Sequence, residues 1–166
     1  MNIVLIGYRG TGKSTVGRQL ASRLGRALVS TDTEIVKRAQ RTIPEIVAQE
    51  GWEYFRDLES EICRELAGRD QLVIDTGGGA MLRQQNVETL KKNGTVFWLT
   101  ASVEPIVKRI GGDNQRPSLT GTKSFVDEIQ EVLQERTSKY QAAADHIIVT
   151  DGRSINQLME TVLGLV

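Results

Sequence analysis

Gly7-Tyr8-Arg9-Gly10-Thr11-Gly12-Lys13-Ser14 follows directly on the apolar run Ile3-Val4-Leu5-Ile6. The stretch fits the phosphate-binding pattern in which two glycines enclose four residues and Lys and then Ser or Thr follow. Its surroundings agree. A short β-type run precedes it, and a helical pattern with Val16, Leu20 and Leu24 comes after. The glycines let the backbone curl so that its N–H groups face inward, which suits phosphate oxygens. Those N–H groups also open a helix, whose N-terminus favours anions. Lys13 is expected to reach the outer phosphates, and the Ser14 hydroxyl to ligate Mg²⁺. An ordinary glycine-rich strand-to-helix turn would leave the Lys-Ser pair unexplained. The chain is therefore expected to bind a nucleoside triphosphate through Gly10, Thr11, Gly12, Lys13, Ser14 and Thr15.

Outward from this loop, five apolar runs read as strands: Ile3–Ile6, Ala27–Val29, Leu72–Ile74, Val96–Leu99 and Ile147–Val149. Being apolar at successive positions, they predict parallel strands covered on both faces. Helical patterns lie between them. Trp52, Phe55, Glu59, Ile62 and Leu66 recur at spacings of three and four, as do Phe125, Ile129, Val132, Leu133, Arg136 and Tyr140. Ile155, Leu158, Met159 and Val162 close the chain the same way. Strands alternating with helices predict an α/β fold, a doubly wound five-stranded parallel sheet of the phosphate-loop NTPase type, with ligands at the carboxyl ends of the strands. One domain over residues 1–166 is expected, with a mobile lid over the polar, turn-rich residues 111–124, in which Arg116 sits.

With 21 basic and 21 acidic residues the charges cancel, so neither nucleic acid nor an anionic membrane is expected as a partner. The amino terminus lacks the basic segment and apolar core of a signal peptide, and no run approaches the ~20 apolar residues of a bilayer span. Cys63 is the only cysteine, which fits a reducing cytoplasm, and its place in a helical pattern reads as packing. His146, the only histidine, cannot make a metal cluster and reads as structural or surface.

Some charges need a partner. Arg136 lies three residues after Leu133 and four before Tyr140, on the apolar face of its own helix. A guanidinium buried there requires a carboxylate of the protein or an anion of a ligand. Arg56 stands one turn after Trp52, and Glu53 or Glu59 could neutralise it at helical spacing, so a ligand role and an intrahelical ion pair are both open. Asp32 follows the second strand, where helix N-capping and a site role are alternatives. Asp75 ends the third strand, the usual place of a metal-side carboxylate in phosphate-loop proteins. Thr76-Gly77-Gly78-Gly79 follows it and permits close backbone approach to a ligand.

Together these motifs resemble the shikimate kinase family over nearly the full length. Phe55-Arg56-Asp57-Leu58-Glu59 is similar to its Phe-Arg-x-x-Glu segment, and Thr76-Gly77-Gly78-Gly79-Ala80 to its triple-glycine motif. Arg116-Pro117-Ser118-Leu119 resembles its lid, and Arg136-Thr137-Ser138-Lys139-Tyr140 its Arg-x-x-x-Tyr helix. The resemblance implies ATP-dependent phosphorylation of the 3-hydroxyl of shikimate, with Mg²⁺, and a substrate-binding insertion at residues 33–67; a cytoplasmic monomer is expected. It implies that Lys13, Asp32 and Arg116 are catalytic and that Arg109 and Ile155 flank the adenine. Shikimate would be held by Asp32, Arg56, Gly77, Gly78, Gly79 and Arg136. The chain departs from the family pattern at Ser30, where an aspartate is usual, and at Asp75, where a neutral residue is usual. Ile155 stands in place of a proline and Ser118 in place of a leucine. Ser14 and Asp75 are therefore the expected metal-side residues. The rival readings are a kinase of the same architecture acting on a nucleoside monophosphate or gluconate, and a GTPase-type switch. The Asn-Lys-x-Asp guanine reader of the latter is absent.

Overall fold

The computed structural model describes residues 1–111 and 125–166, so all of the expected lid beyond Gly111, Arg116 included, lies outside the described residues. Five strands, β1 (Asn2–Ile6), β2 (Ala27–Ser30), β3 (Leu72–Asp75), β4 (Gly94–Thr100) and β5 (His146–Val149), form one parallel sheet in the order β2-β3-β1-β4-β5. Each expected strand is present, extended at one or both ends. The helices are α1 (Lys13–Leu24), α2 (Thr31–Ala39), α3 (Ile43–Ala67), α4 (Gln84–Lys91), α5 (Val103–Ile110), α6 (Phe125–Ala143) and α7 (Ile155–Leu163). Strand order reverses at β1, which places the ligand crevice above its carboxyl end.

The pleat of β1 explains its unbroken apolar run. Ile3 and Leu5 enter one core with Val16 and Leu20 of α1 and Leu158 and Val162 of α7. Val4 and Ile6 enter the other with Phe55 and Ile62 of α3 and Ile129 and Tyr140 of α6. Both faces are thus covered at the centre of the sheet. At β5 the expectation of two covered faces fails. Ile147 and Val149 are 50% and 54% exposed, and only Ile148 between them is buried. As an edge strand paired only to β4, β5 lies beyond the helices of one face.

The element α3 is two helical segments, residues 43–50 and 52–67, joined at Gly51 with φ 86° and ψ 170°. The first is capped by Thr42, whose hydroxyl accepts from the Glu45 N–H at 3.3 Å. The Trp52-to-Leu66 pattern marks the second. The capping role considered for Asp32 belongs instead to Ser30, whose hydroxyl accepts from the Thr33 N–H at 3.3 Å. Asp32 sits inside the first turn of α2. Cys63 is fully buried in α3, and burial, with Glu59 nearby, pushes its thiol well above the usual range, which leaves it a packing residue. His146 stacks on Phe97 with ring centroids 5.0 Å apart. Among the described residues no helix is long and apolar enough to cross a membrane.

Candidate active site

Above the carboxyl ends of β1, β2 and β3 lies a cleft of about 420 Å³. Arg9, Gly10, Gly12, Lys13, Ser14 and Thr15 line it from the loop, Ser30 and Asp32 from β2–α2, Asp75, Thr76 and Gly78 from β3, and Arg109 from α5. The loop is tied inward. Lys13 is only 7% exposed, and its ammonium donates to the carbonyls of Gly7 at 2.8 Å and Tyr8 at 2.9 Å. Thr11 is buried, and its hydroxyl donates to the same Tyr8 carbonyl at 2.8 Å, so its side chain braces the loop rather than facing the cleft. Arg109 donates to the Gly10 carbonyl at 2.9 Å, which fixes it beside the loop. Ile155 does not line the cleft; it packs against the core between α1 and α7.

Asp75 and Ser30 are register partners on β3 and β2. Asp75 is buried, and one of its oxygens accepts from the Ser14 hydroxyl at 2.5 Å. A hydroxyl and a carboxylate in contact beside the phosphate loop form a hard oxygen donor set of the kind that Mg²⁺ takes together with phosphate oxygens and waters. Among the described residues no group of three or more His, Cys, Asp or Glu side chains forms a metal cage. One carboxylate with a hydroxyl is what that mode of Mg²⁺ binding asks for.

The three glycines after Thr76 organise the other wall. A Cβ on Gly77 would stand 2.7 Å from Asp32 Oδ1 and 2.8 Å from Glu59 Oε2, and one on Gly79 would run into the guanidinium of Arg56. A side chain at either point would push these charged groups out of their places. Gly78 has the Arg136 guanidinium 3.2 Å from its own Cβ position. The backbone here is held by side chains: the Gly77 N–H donates to Thr31 Oγ1 at 2.8 Å, and the Tyr140 hydroxyl donates to the Gly78 carbonyl at 2.5 Å. Arg56, Arg136 and Asp32, from three different helices, thus meet along one short glycine strip.

The two arginines differ in their partners. Arg56 donates to Glu59 at 2.8 Å, with Glu59 fully buried, so the ion pair open in the sequence is real, is made with Glu59 and is not solvated. Glu53 pairs with Arg83 instead. The Arg56 guanidinium also lies 5.3 Å from the Trp52 ring and 5.2 Å from that of Phe55. Arg136 is 8% exposed, and no carboxylate of the described residues forms an ion pair with it. Burial pushes the Tyr140 hydroxyl above its ordinary pKa, while the neighbouring Arg136 charge pulls the other way. Tyr140 therefore stays protonated as the donor to Gly78. Sequence reasoning does not single out Thr31, and it offers Glu59 only as one of two possible partners of Arg56 and as the end of a motif. Their signals are faint: Thr31 adjoins Asp32, and Glu59 falls at helical spacing from Arg56.

A family model described as Shikimate kinase matches residues 9–166. A shikimate kinase from Syntrophus aciditrophicus is 44% identical over 173 aligned positions, covering 98% of this chain and 89% of that protein. Among solved structures, shikimate kinase from Acinetobacter baumannii in complex with shikimate superposes with a TM-score of 0.93 at 37% identity, covering 99% of this chain and 91% of that one. Shikimate kinase from Aquifex aeolicus superposes with a TM-score of 0.82 at 30% identity, with coverage of 99% and 95%.

Proposed function

The chain belongs to the shikimate kinase family of ATP-dependent transferases, and from that membership we propose how its residues divide the phosphorylation of shikimate between them. The loop N–H groups and Lys13 hold the triphosphate of ATP. Lys13 exchanges its two loop carbonyls for phosphate oxygens when the nucleotide enters. Ser14 and Asp75 hold Mg²⁺, which supplies charge neutralisation across the outer phosphates. Arg56 and Arg136 bind the shikimate carboxylate, since the planar guanidinium suits bidentate recognition of that group. Gly77, Gly78 and Gly79 admit the sugar-like ring close to the backbone. Asp32 orients the 3-hydroxyl and takes its proton as the oxygen bonds to the γ-phosphorus. Arg109 packs at the nucleotide side of the loop, and Arg116, outside the described residues, is assigned to the phosphates from the family resemblance alone. The proposed form is a cytoplasmic monomer; a single cysteine, Cys63, fits a reducing compartment.

The observation that carries the acceptor assignment is Arg136. It is a buried guanidinium with no carboxylate partner among the described residues, set beside Arg56 over Gly78 and Gly79. An anion of the substrate removes the cost of burying it. Turnover of ATP against shikimate, quinate, gluconate and nucleoside monophosphates tests the reading. Shikimate should be phosphorylated with the highest kcat/KM. Faster transfer to a nucleotide would assign the two arginines to a phosphate instead.

A further inference from the structure

Tyr8 and Arg9 are neighbours in the phosphate loop and go opposite ways. Tyr8 is 2% exposed and packs into the core that α6 covers. Arg9 instead lines the cleft, together with Lys13, Ser14, Asp32 and Asp75. Its Nη1 is buried, and no hydrogen-bond acceptor among the described residues meets it. Two other arginines around the site are engaged, Arg56 by Glu59 and Arg109 by the Gly10 carbonyl. A guanidinium does not lose its proton in a protein, so Arg9 brings a fixed charge to the wall of a space that an anion enters, and its buried Nη1 is left without an acceptor.

Two anionic groups come to the site: the phosphates of ATP enter this cleft, and the carboxylate of shikimate docks on the glycine strip beside it. The carboxylate is served by Arg56 and Arg136, neither of which lines the cleft with Arg9. The Arg9 main chain lies against the glycine strip, its N atom 3.6 Å from the Cβ position of Gly78. Arg9 therefore stands where the loop turns toward the acceptor. Around it on that side are Asp32 and Asp75, whose negative charge opposes an arriving phosphoryl group. Lys13 and the loop N–H groups neutralise that group while it belongs to ATP. A cation facing the acceptor is needed once it leaves.

We propose that Arg9 is a catalytic residue that donates hydrogen bonds to the phosphoryl group during its transfer and then holds the phosphate of shikimate 3-phosphate. The inference rests on the substrate placement proposed above. In the step itself, the shikimate hydroxyl oxygen forms a bond to the γ-phosphorus. The bond from that phosphorus to the oxygen bridging to ADP breaks, its electron pair leaving with ADP. The hydroxyl proton passes to Asp32. Arg9 keeps its protons throughout.

Arg9→Met and Arg9→Lys in the full chain test this. A charge-assisted hydrogen bond converts to about 10–150-fold in an equilibrium or rate. Arg9→Met should lower kcat by a factor in that range and leave KM for shikimate and ATP within about threefold. Calorimetry should find shikimate 3-phosphate binding weakened by about tenfold or more and shikimate binding unchanged, with Arg9→Lys recovering part of both losses. Parent-like kcat and product affinity would overturn the proposal. So would equal weakening of shikimate and its phosphate, which would make Arg9 a carboxylate ligand. A fall in Tm and kcat with product affinity intact would make it a structural residue. Arg136→Lys, measured beside it, separates the two readings. If that variant loses shikimate affinity while Arg9→Met changes nothing, Arg9 alone is misassigned. If neither loses anything, the substrate placement fails and this inference with it.

Discussion

The two walls of the proposed site, the phosphate loop and the glycine strip with the side chains around it, are built on different principles. In the proposed assignment the donor wall is a single segment, residues 7–15, whose main-chain N–H groups are freed by the glycines and whose Lys13 and Ser14 side chains follow in the same motif. The acceptor wall is assembled from Asp32 on α2, Arg56 and Glu59 on α3, the glycine strip after β3, and Arg136 and Tyr140 on α6. Its recognition elements are side chains, held at distances where one added methyl on Gly79 would enter the Arg56 guanidinium. Phosphate binding is therefore a local property of the chain, and acceptor choice is a tertiary one. Damage to the first wall should slow transfer to any acceptor. Damage to the second should change what is bound.

Lys13→Ala should have the largest effect. A positive charge on the transferring phosphates is worth about 10³–10⁵-fold when an arginine finger supplies it, and a loss of that order is expected here. Lys13 also ties the Gly7 and Tyr8 carbonyls, so the loop should loosen and ATP affinity should fall along with the rate. Single-turnover transfer and nucleotide binding measure both. The contrast between the walls breaks if the variant transfers at a parent-like rate but binds shikimate poorly.

Asp32 stands where the two walls meet, and Asp32→Asn comes next. General-base contributions are typically ~10²–10⁴-fold, and kcat should fall within that range with ATP affinity unchanged. Because Ser30 caps α2, the substitution removes only a favourable charge from the first turn, about 0.3–1 kcal/mol. A thermal melt separates the outcomes: a large stability loss with activity retained would make Asp32 a structural carboxylate.

Arg136→Lys should sharpen the comparison. A point charge replaces a planar fork and loses one charge-assisted bond, which raises the shikimate dissociation constant about 10–150-fold. Nucleotide affinity should stay within about twofold, as expected of a residue confined to the acceptor wall. Equal loss for both ligands would mean that the walls are coupled through Gly78, which Arg136 approaches and Tyr140 holds.

The same division decides how much of each wall is legible in the amino-acid sequence. The donor wall is legible because strand, loop and helix are contiguous and each residue's role follows from its place in the motif. The acceptor residues can be named as charges in need of partners, but periodicity does not choose the partners. Glu53 and Glu59 are both at helical spacing from Arg56, and only the packing of α3 against the glycine strip selects Glu59. Asp32 and Ser30 are both good caps, and the backbone decides for Ser30. Ile147 and Val149 read as buried because their run is continuously apolar. Position at the sheet edge, which leaves them exposed, is a property of strand order rather than of the strand. The short helices α4 and α5 offer two turns each, too few for a periodic pattern to stand out.

The smallest expected effect lies at the seam between the walls. Ser30 and Asp75 face each other across β2 and β3, and Asp75 already touches the Ser14 hydroxyl. In the proposed assignment a carboxylate at either strand end could serve the metal, since Mg²⁺ needs only one or two besides its phosphates and waters. Asp75→Ala should weaken Mg²⁺ binding to the ATP complex about tenfold, as loss of a supporting ligand typically does. Shikimate affinity should be unchanged. Ser30→Asp keeps the α2 cap, because Asp caps as well as Ser. Alone it should gain little; with Asp75→Ala it should restore part of the Mg²⁺ affinity. Calorimetric Mg²⁺ titration of all four forms gives the coupling as a double-mutant cycle. A non-zero coupling with rescue means the two strand ends are alternative seats for one carboxylate. Strict additivity would make Asp75 a partner of Ser14 alone, and the metal side of the site would then belong wholly to the donor wall.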